Sequence, residues 1–108
     1  MTPKRILFVC TGNSCRSVMA QGILRQMLEQ AGLASVHVES AGVFAVEGMS
    51  PTRETQRVLQ EVGVDCTSYR ARTLTALMVE DADLVLAMEQ FHIEEILRRI
   101  PPAKDKVH

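Results

Sequence analysis

Cys10 and Arg16 stand in a short run, Cys10-Thr11-Gly12-Asn13-Ser14-Cys15-Arg16-Ser17, lying between an apolar stretch (Ile6-Leu7-Phe8-Val9) and a stretch of helical periodicity. That order puts a thiol at a strand's carboxyl end, on a tight turn that faces the amino end of a helix. The first helical turn leaves backbone N–H groups unpaired and carries a partial positive charge, so it attracts anions. A thiol placed there is expected to ionise readily, because the same N–H groups stabilise the thiolate. The planar fork of Arg16 suits two oxygens of a phosphate. A nucleophilic sulfur and an oxyanion clamp on one loop point to chemistry on a tetrahedral, phosphate-like anion. The rival reading is a phosphate-binding turn with a buried structural cysteine, which leaves Arg16 without a role.

The elements that must hold this loop alternate between strand and helix. The spacing predicts a strand over about 5–9 and a helix over about 17–30, with Val18, Ala20, Ile23, Leu24, Met27 and Leu28 buried and Gly32 as its stop. A strand over 36–40 turns Val36 and Val38 inward and His37 and Glu39 outward, or is buried on both faces. After a loop at 42–49, Ser50 as N-cap and Pro51 at the first position open a helix to 62–63, with Val58, Leu59 and Val62 as its apolar stripe. A short helix over 74–81 starts at Thr73 or Thr75. The continuous apolar run at 84–87 is expected of a central parallel strand. A helix over 89–100 follows, with Phe91, Ile93, Ile96, Leu97 and Ile100 mostly on one side, and Pro101-Pro102 ends it. These units predict an α/β fold, a three-layer sandwich in which helices flank a parallel sheet through right-handed crossovers. Ligands of such sheets bind beyond the carboxyl ends of the strands, where Cys10 falls.

At 108 residues the chain reads as one domain over 1–108. Twelve basic and thirteen acidic residues leave a net charge of −1 with no basic stripe, so neither nucleic acid nor an anionic membrane is an expected partner. No apolar stretch is long enough to span a bilayer and no signal peptide precedes the first strand, which reads as cytoplasmic. Cys10, Cys15 and Cys66 form no disulfide framework and lack the spacing of a zinc site, so no metal or cofactor is expected. Cys66 lies in a polar stretch and reads as a bystander. His37, His92 and His108 are scattered and read as surface or packing residues without a catalytic task. The six methionines read as fillers of gaps in the core.

The run from Val9 to Ser17 resembles the phosphate loop of low-molecular-weight protein tyrosine phosphatases. The likeness continues through Ser40-Ala41-Gly42-Val43, Ala71-Arg72 and 82–88, and so covers nearly the whole chain. It implies that Cys10 is the nucleophile and that Arg16 grips the phosphoryl oxygens. The backbone N–H groups of Thr11, Gly12, Asn13, Ser14, Cys15 and Arg16 would complete the cradle for a phosphate-like anion. By the same resemblance Ser17 donates a hydrogen bond to the thiolate, its other reading being a helix N-cap. Asn13 is held in a left-handed conformation and Ser40 fixes Asn13 from behind. A reversible Cys10–Cys15 disulfide would protect the nucleophile under oxidants.

Three departures matter. Tyr69 stands where the family usually has His, and Val18 where it has Pro, so the loop's rigidity depends on other contacts. No Asp-Pro pair occurs in the sequence, whereas the family's pair supplies the general acid. The segment 104–108 looks like the approach to a further strand, and the chain reads as a fragment or a short member, truncated at the C-terminus. An incomplete sheet favours self-association or a completing partner. The expected function is a phosphoprotein phosphatase on phosphotyrosine or phosphoarginine in a protein or peptide, impaired by the missing acid. Ser14 is small and polar, closer to the Thr of the arginine phosphatase branch than to the bulky aliphatic residue of tyrosine enzymes. The rivals are a non-catalytic phosphate-binding module and an arsenate reductase, which would need two further cysteines after the third strand.

Overall fold

The computed structural model describes residues 4–33 and 35–108. Three strands form a parallel sheet: β1 (Arg5–Cys10), β2 (His37–Gly42) and β3 (Leu84–Ala87), in the order β2-β1-β3. Cys10 lies opposite Gly42 in the register with β2, and Val9 opposite Ala87 in that with β3. Between the strands run α1 (Arg16–Gln30), α2 (Arg53–Glu61) and α3 (Ala76–Asp81). After β3 come α4 (Gln90–Arg99) and a 3-10 turn, Pro101–Asp105.

β1 is apolar along its length because helices cover both of its faces. Ile6 and Phe8 join Val38 against Ala20, Leu24 and Leu28 of α1. Leu7 and Val9 turn to the other face, where they pack with Val79 of α3, Val85 and Ile96 of α4. The result is the expected three-layer sandwich, with α2 set against α1 through Val18, Leu59 and Cys66. β2 follows the alternating pattern at first, with Val38 buried and His37 exposed, and then buries Ser40, Ala41 and Gly42 together.

Several local expectations need correction. The apolar run at 84–87 forms an inner strand, as expected, but β1 is the middle of the three strands. Its hydrophobicity reflects cover on both faces, and its outer side pairs with the backbone of 106–108 through the Val85–Val107 bridge. The helix expected from Ser50 and Pro51 begins later, with Thr52 as N-cap, its side chain accepting the Thr55 N–H. Only Leu59 of that helix's proposed stripe is buried, while Val58 and Val62 are exposed. In α1, Ile23 and Met27 face outward, and the polar Gln21 takes a buried place instead. The short helix α3 starts at Thr75 rather than Thr73, again through a hydroxyl cap. No helix among the described residues is long and apolar enough to cross a membrane.

From β1 the chain passes to β2 on one side, and it later crosses to β3 on the other. The carboxyl end of β1 is therefore the switch point of the sheet, where a crevice forms. Cys10 is the last residue of that strand.

Candidate active site

Cys10 is buried at the base of the 10–16 loop, and its sulfur receives two hydrogen bonds. The Asn13 N–H donates at 3.2 Å and the Ser17 hydroxyl lies at 2.9 Å. The direction of the second bond follows from its neighbour. Ser17 Oγ accepts from Asn13 Nδ2 at 2.8 Å, which leaves its own hydrogen for the sulfur. Ser17 is thus the second residue of α1, not its N-cap, which is Cys15. Among the described residues no protein acceptor takes the amides of Gly12, Ser14, Cys15 or Arg16, the groups that line an anion cradle.

Asn13 holds the loop's shape. Its φ of 53° is left-handed, a region that Asn tolerates better than most side chains. Its amide uses both donors and both acceptor positions: Nδ2 donates to Ser17 Oγ and to Ser40 Oγ (2.9 Å), and Oδ1 accepts from Tyr69 OH (2.7 Å) and the Arg72 N–H (2.8 Å). Behind it, Ser40 donates to Gln21 Oε1. Four segments (α1, β2, the loop and 69–72) meet at one buried amide. Tyr69, the residue whose identity left the loop's rigidity open, is therefore a direct support of Asn13. Val18 is buried beside Leu59.

Gly42 makes the crossing possible. A Cβ there would lie 2.5 Å from the Thr11 carbonyl oxygen and 3.0 Å from the Asn13 nitrogen. Overpacking of this kind costs about 2–3 kcal/mol, so Gly42→Ala is expected to lower the urea midpoint and to displace the loop. Retention of parent stability and phosphate affinity would contradict this.

The opposite wall comes from the start of α4. Glu89 reaches Arg16, with Oε1 3.2 Å from Nη1. His92, fully buried, places Nε2 at 2.9 Å from Thr11 Oγ1, while its Nδ1 accepts the Glu89 N–H at 3.1 Å. Burial, then the nearby Arg16 guanidinium, holds the His92 imidazole below its ordinary pKa; Glu89 pulls weakly the other way. The Phe44 N–H donates to the Thr11 carbonyl, and its ring stacks on Phe91 at 6.1 Å with the Arg99 guanidinium above it.

The structure brings Cys10, Thr11, Gly12, Asn13, Ser14, Cys15, Arg16, Ser17 and Ser40 to one place. All three cysteines are free thiols, and burial with the Asp65 carboxylate pushes the Cys66 thiol up. Sequence reasoning missed His92 and Gln21. Gln21 stands four residues after Ser17 on the same helical face, and Glu89-x-x-His92 has the spacing of a capping box, so both carried a signal. Two aspartates lie away from the loop: Asp83 accepts the Lys4 and Arg5 N–H groups at the far end of β1, and Asp65 accepts from Thr67, whereas the Glu89 carboxylate stands at the loop, paired with Arg16.

A loop of amides without protein acceptors around a buried thiol, set at the switch point of a parallel sheet, has the geometry of the phosphate-loop class with a cysteine at its base. Residues 5–108 match the model of the family described as low molecular weight phosphotyrosine protein phosphatase. The chain belongs to that family. It is 45% identical over 104 residues to a protein-arginine-phosphatase from Geobacillus stearothermophilus, covering 96% of this chain and 67% of that protein. A probable low molecular weight protein-tyrosine-phosphatase, EpsP from Ralstonia nicotianae, is 42% identical over 98 residues, or 91% and 64% of the two chains. A crystal structure of a YwlE mutant from Bacillus subtilis superposes with a TM-score of 0.91 at 38% identity, covering 96% and 69%. The tyrosine phosphatase Wzb from Escherichia coli K30, solved in complex with sulphate, gives 0.88 at 33% identity, covering 99% and 71%. The chain spans about two thirds of the length of the curated relatives it matches.

Proposed function

We propose that these residues carry out the phosphoryl-transfer chemistry of a cysteine-dependent phosphoprotein phosphatase. The observation that carries the reading is the Cys10 sulfur, buried under Asn13 N–H and Ser17 Oγ, beside amides with no protein acceptor among the described residues. The Cys10 thiolate attacks phosphorus and an S–P bond forms. The P–O or P–N bond breaks, and its electron pair leaves on the oxygen or nitrogen, which takes up a proton. Water then cleaves the S–P bond, releasing inorganic phosphate and the thiolate. Arg16 and the loop amides stabilise the charge that builds on the equatorial oxygens.

The substrate is a phosphorylated protein or peptide, with phosphoarginine favoured over phosphotyrosine. Ser14 supports this choice, since a small polar residue leaves room and a hydrogen-bonding group where a bulky aliphatic side chain would pack on a ring. Relatives bearing each name are similarly close. A cytoplasmic setting, where thiols stay reduced, suits the reading.

p-Nitrophenyl phosphate, whose leaving group needs little protonation, tests the chemistry. Turnover that is lost in Cys10→Ser supports it. Phosphate binding without turnover favours a binding module instead. For the substrate, Ser14→Ile is expected to lower the ratio of phosphoarginine to phosphotyrosine peptide kcat/KM by about 10-fold or more. An unchanged ratio would remove Ser14 from the argument.

A further inference from the structure

We propose that His92 is a positioning residue for the phosphate loop, its Nε2–H fixing the Thr11 hydroxyl so that this hydroxyl's own hydrogen is presented to the bound phosphoryl group. The inference rests on the phosphatase reading and adds a residue that the sequence left as packing. The tautomer follows from the contacts. Nδ1 accepts the Glu89 N–H at 3.1 Å, so the ring proton sits on Nε2. Nε2 is 2.9 Å from Thr11 Oγ1 and therefore donates to it. Thr11 has one hydroxyl hydrogen, and a hydroxyl that accepts from the imidazole keeps that hydrogen for another acceptor. Thr11 follows Cys10 directly in the loop, and among the described residues His92 is the one partner of its hydroxyl, so the hydrogen is left for an acceptor outside the chain.

Capping alone does not account for this residue. Glu or Gln commonly closes the third helical position, and such a cap needs only one acceptor near the Glu89 amide. His92 makes that bond with one nitrogen and spans to the loop with the other. It is fully buried, although its neighbour Phe91 in the same turn is exposed. The same turn sends Glu89 to Arg16, so α4 holds both ends of the loop, Thr11 through His92 and Arg16 through Glu89.

His92→Asn keeps an acceptor for the Glu89 amide but cannot reach Thr11. His92→Gln restores a donor at about the reach of Nε2. His92→Asn is expected to lower kcat for p-nitrophenyl phosphate by about 10-fold and to weaken inhibition by inorganic phosphate, with the loss undiminished at temperatures well below its lowered thermal midpoint. Thr11→Val is expected to lose as much, the double variant no more than either single one, and His92→Gln to recover part of the loss. Losses that multiply in the double variant, an unchanged kcat in His92→Asn, or a loss that follows weakened folding would each overturn the proposal. The ring's ¹⁵N shifts provide a readout without turnover. A neutral, Nε2-protonated imidazole at pH 7 that changes in Thr11→Val supports the assignment, and a charged or Nδ1-protonated ring refutes it. A parent protein that binds phosphate without turning over would sink the phosphatase reading, while the ¹⁵N signal would still decide the contact.

Discussion

Cys10→Ser is expected to cut hydrolysis of p-nitrophenyl phosphate by about 10⁵-fold while inorganic phosphate still binds. The nucleophile's loss removes the covalent route. The cradle, built from backbone amides and Arg16, loses nothing in shape, because serine can keep a hydrogen bond to Ser17 Oγ and another to the Asn13 N–H. Arg16→Ala is the complementary variant. It leaves sulfur in place and removes a fork that grips oxygens, so the rate is expected to fall about 10³-fold together with phosphate affinity. Steady-state kinetics and calorimetric titration with phosphate separate the two. Equal loss of binding in both variants would mean that the sulfur is part of the cradle's architecture and not its attacking group.

The second large effect belongs to Asn13. Asn13→Ala strips partners from Ser17, Ser40, Tyr69 and the Arg72 amide at once, in a site where the Asn13 side chain is fully buried. Each buried group left unpaired costs about 1–3 kcal/mol, and partial rearrangement brings the expected total to about 4 kcal/mol by urea unfolding. Left-handed backbone strain adds about 1 kcal/mol for Ala. Asn13→Gly carries no such strain, so comparing the two decides which effect dominates. Both are expected to be strongly destabilised, within about 1 kcal/mol of each other. A Gly variant near parent stability would assign Asn13's role to backbone conformation alone. Turnover is expected to fall about 100-fold in either variant, as the Ser17 hydroxyl loses the donor that directs its hydrogen at sulfur.

The fold class was legible because its signal is local and repeated. Runs such as Ile6-Leu7-Phe8-Val9 and 84–87 have few ways to bury both faces except in a parallel sheet. Which strand is the middle one was not legible, since Leu84-Val85-Leu86-Ala87 is as apolar as β1 and differs only in what lies beyond it. Helix starts shifted where hydroxyls compete: Ser50, Thr52, Thr73 and Thr75 can all cap, and tertiary contacts choose among them. Thr52 is selected by the loop itself, for its N–H donates to the Ser14 carbonyl. The loop residues were readable from their types and order. The contacts that brace them were not, since Gln21, Tyr69 and His92 lie 4, 52 and 75 residues beyond Ser17. Polar residues on helices look like solvent-facing ones until the partner segment is in place.

The alternation along β1 carries a consequence for how this protein can change. Ile6 and Phe8 face one helical layer, Leu7 and Val9 the other, and Cys10 ends the series. Inserting or deleting one residue between Arg5 and Val9 would exchange the two faces and turn the sulfur to the wrong side of the sheet. Apolar replacements along this stretch are therefore tolerable in many combinations, whereas its length in residues is fixed by parity.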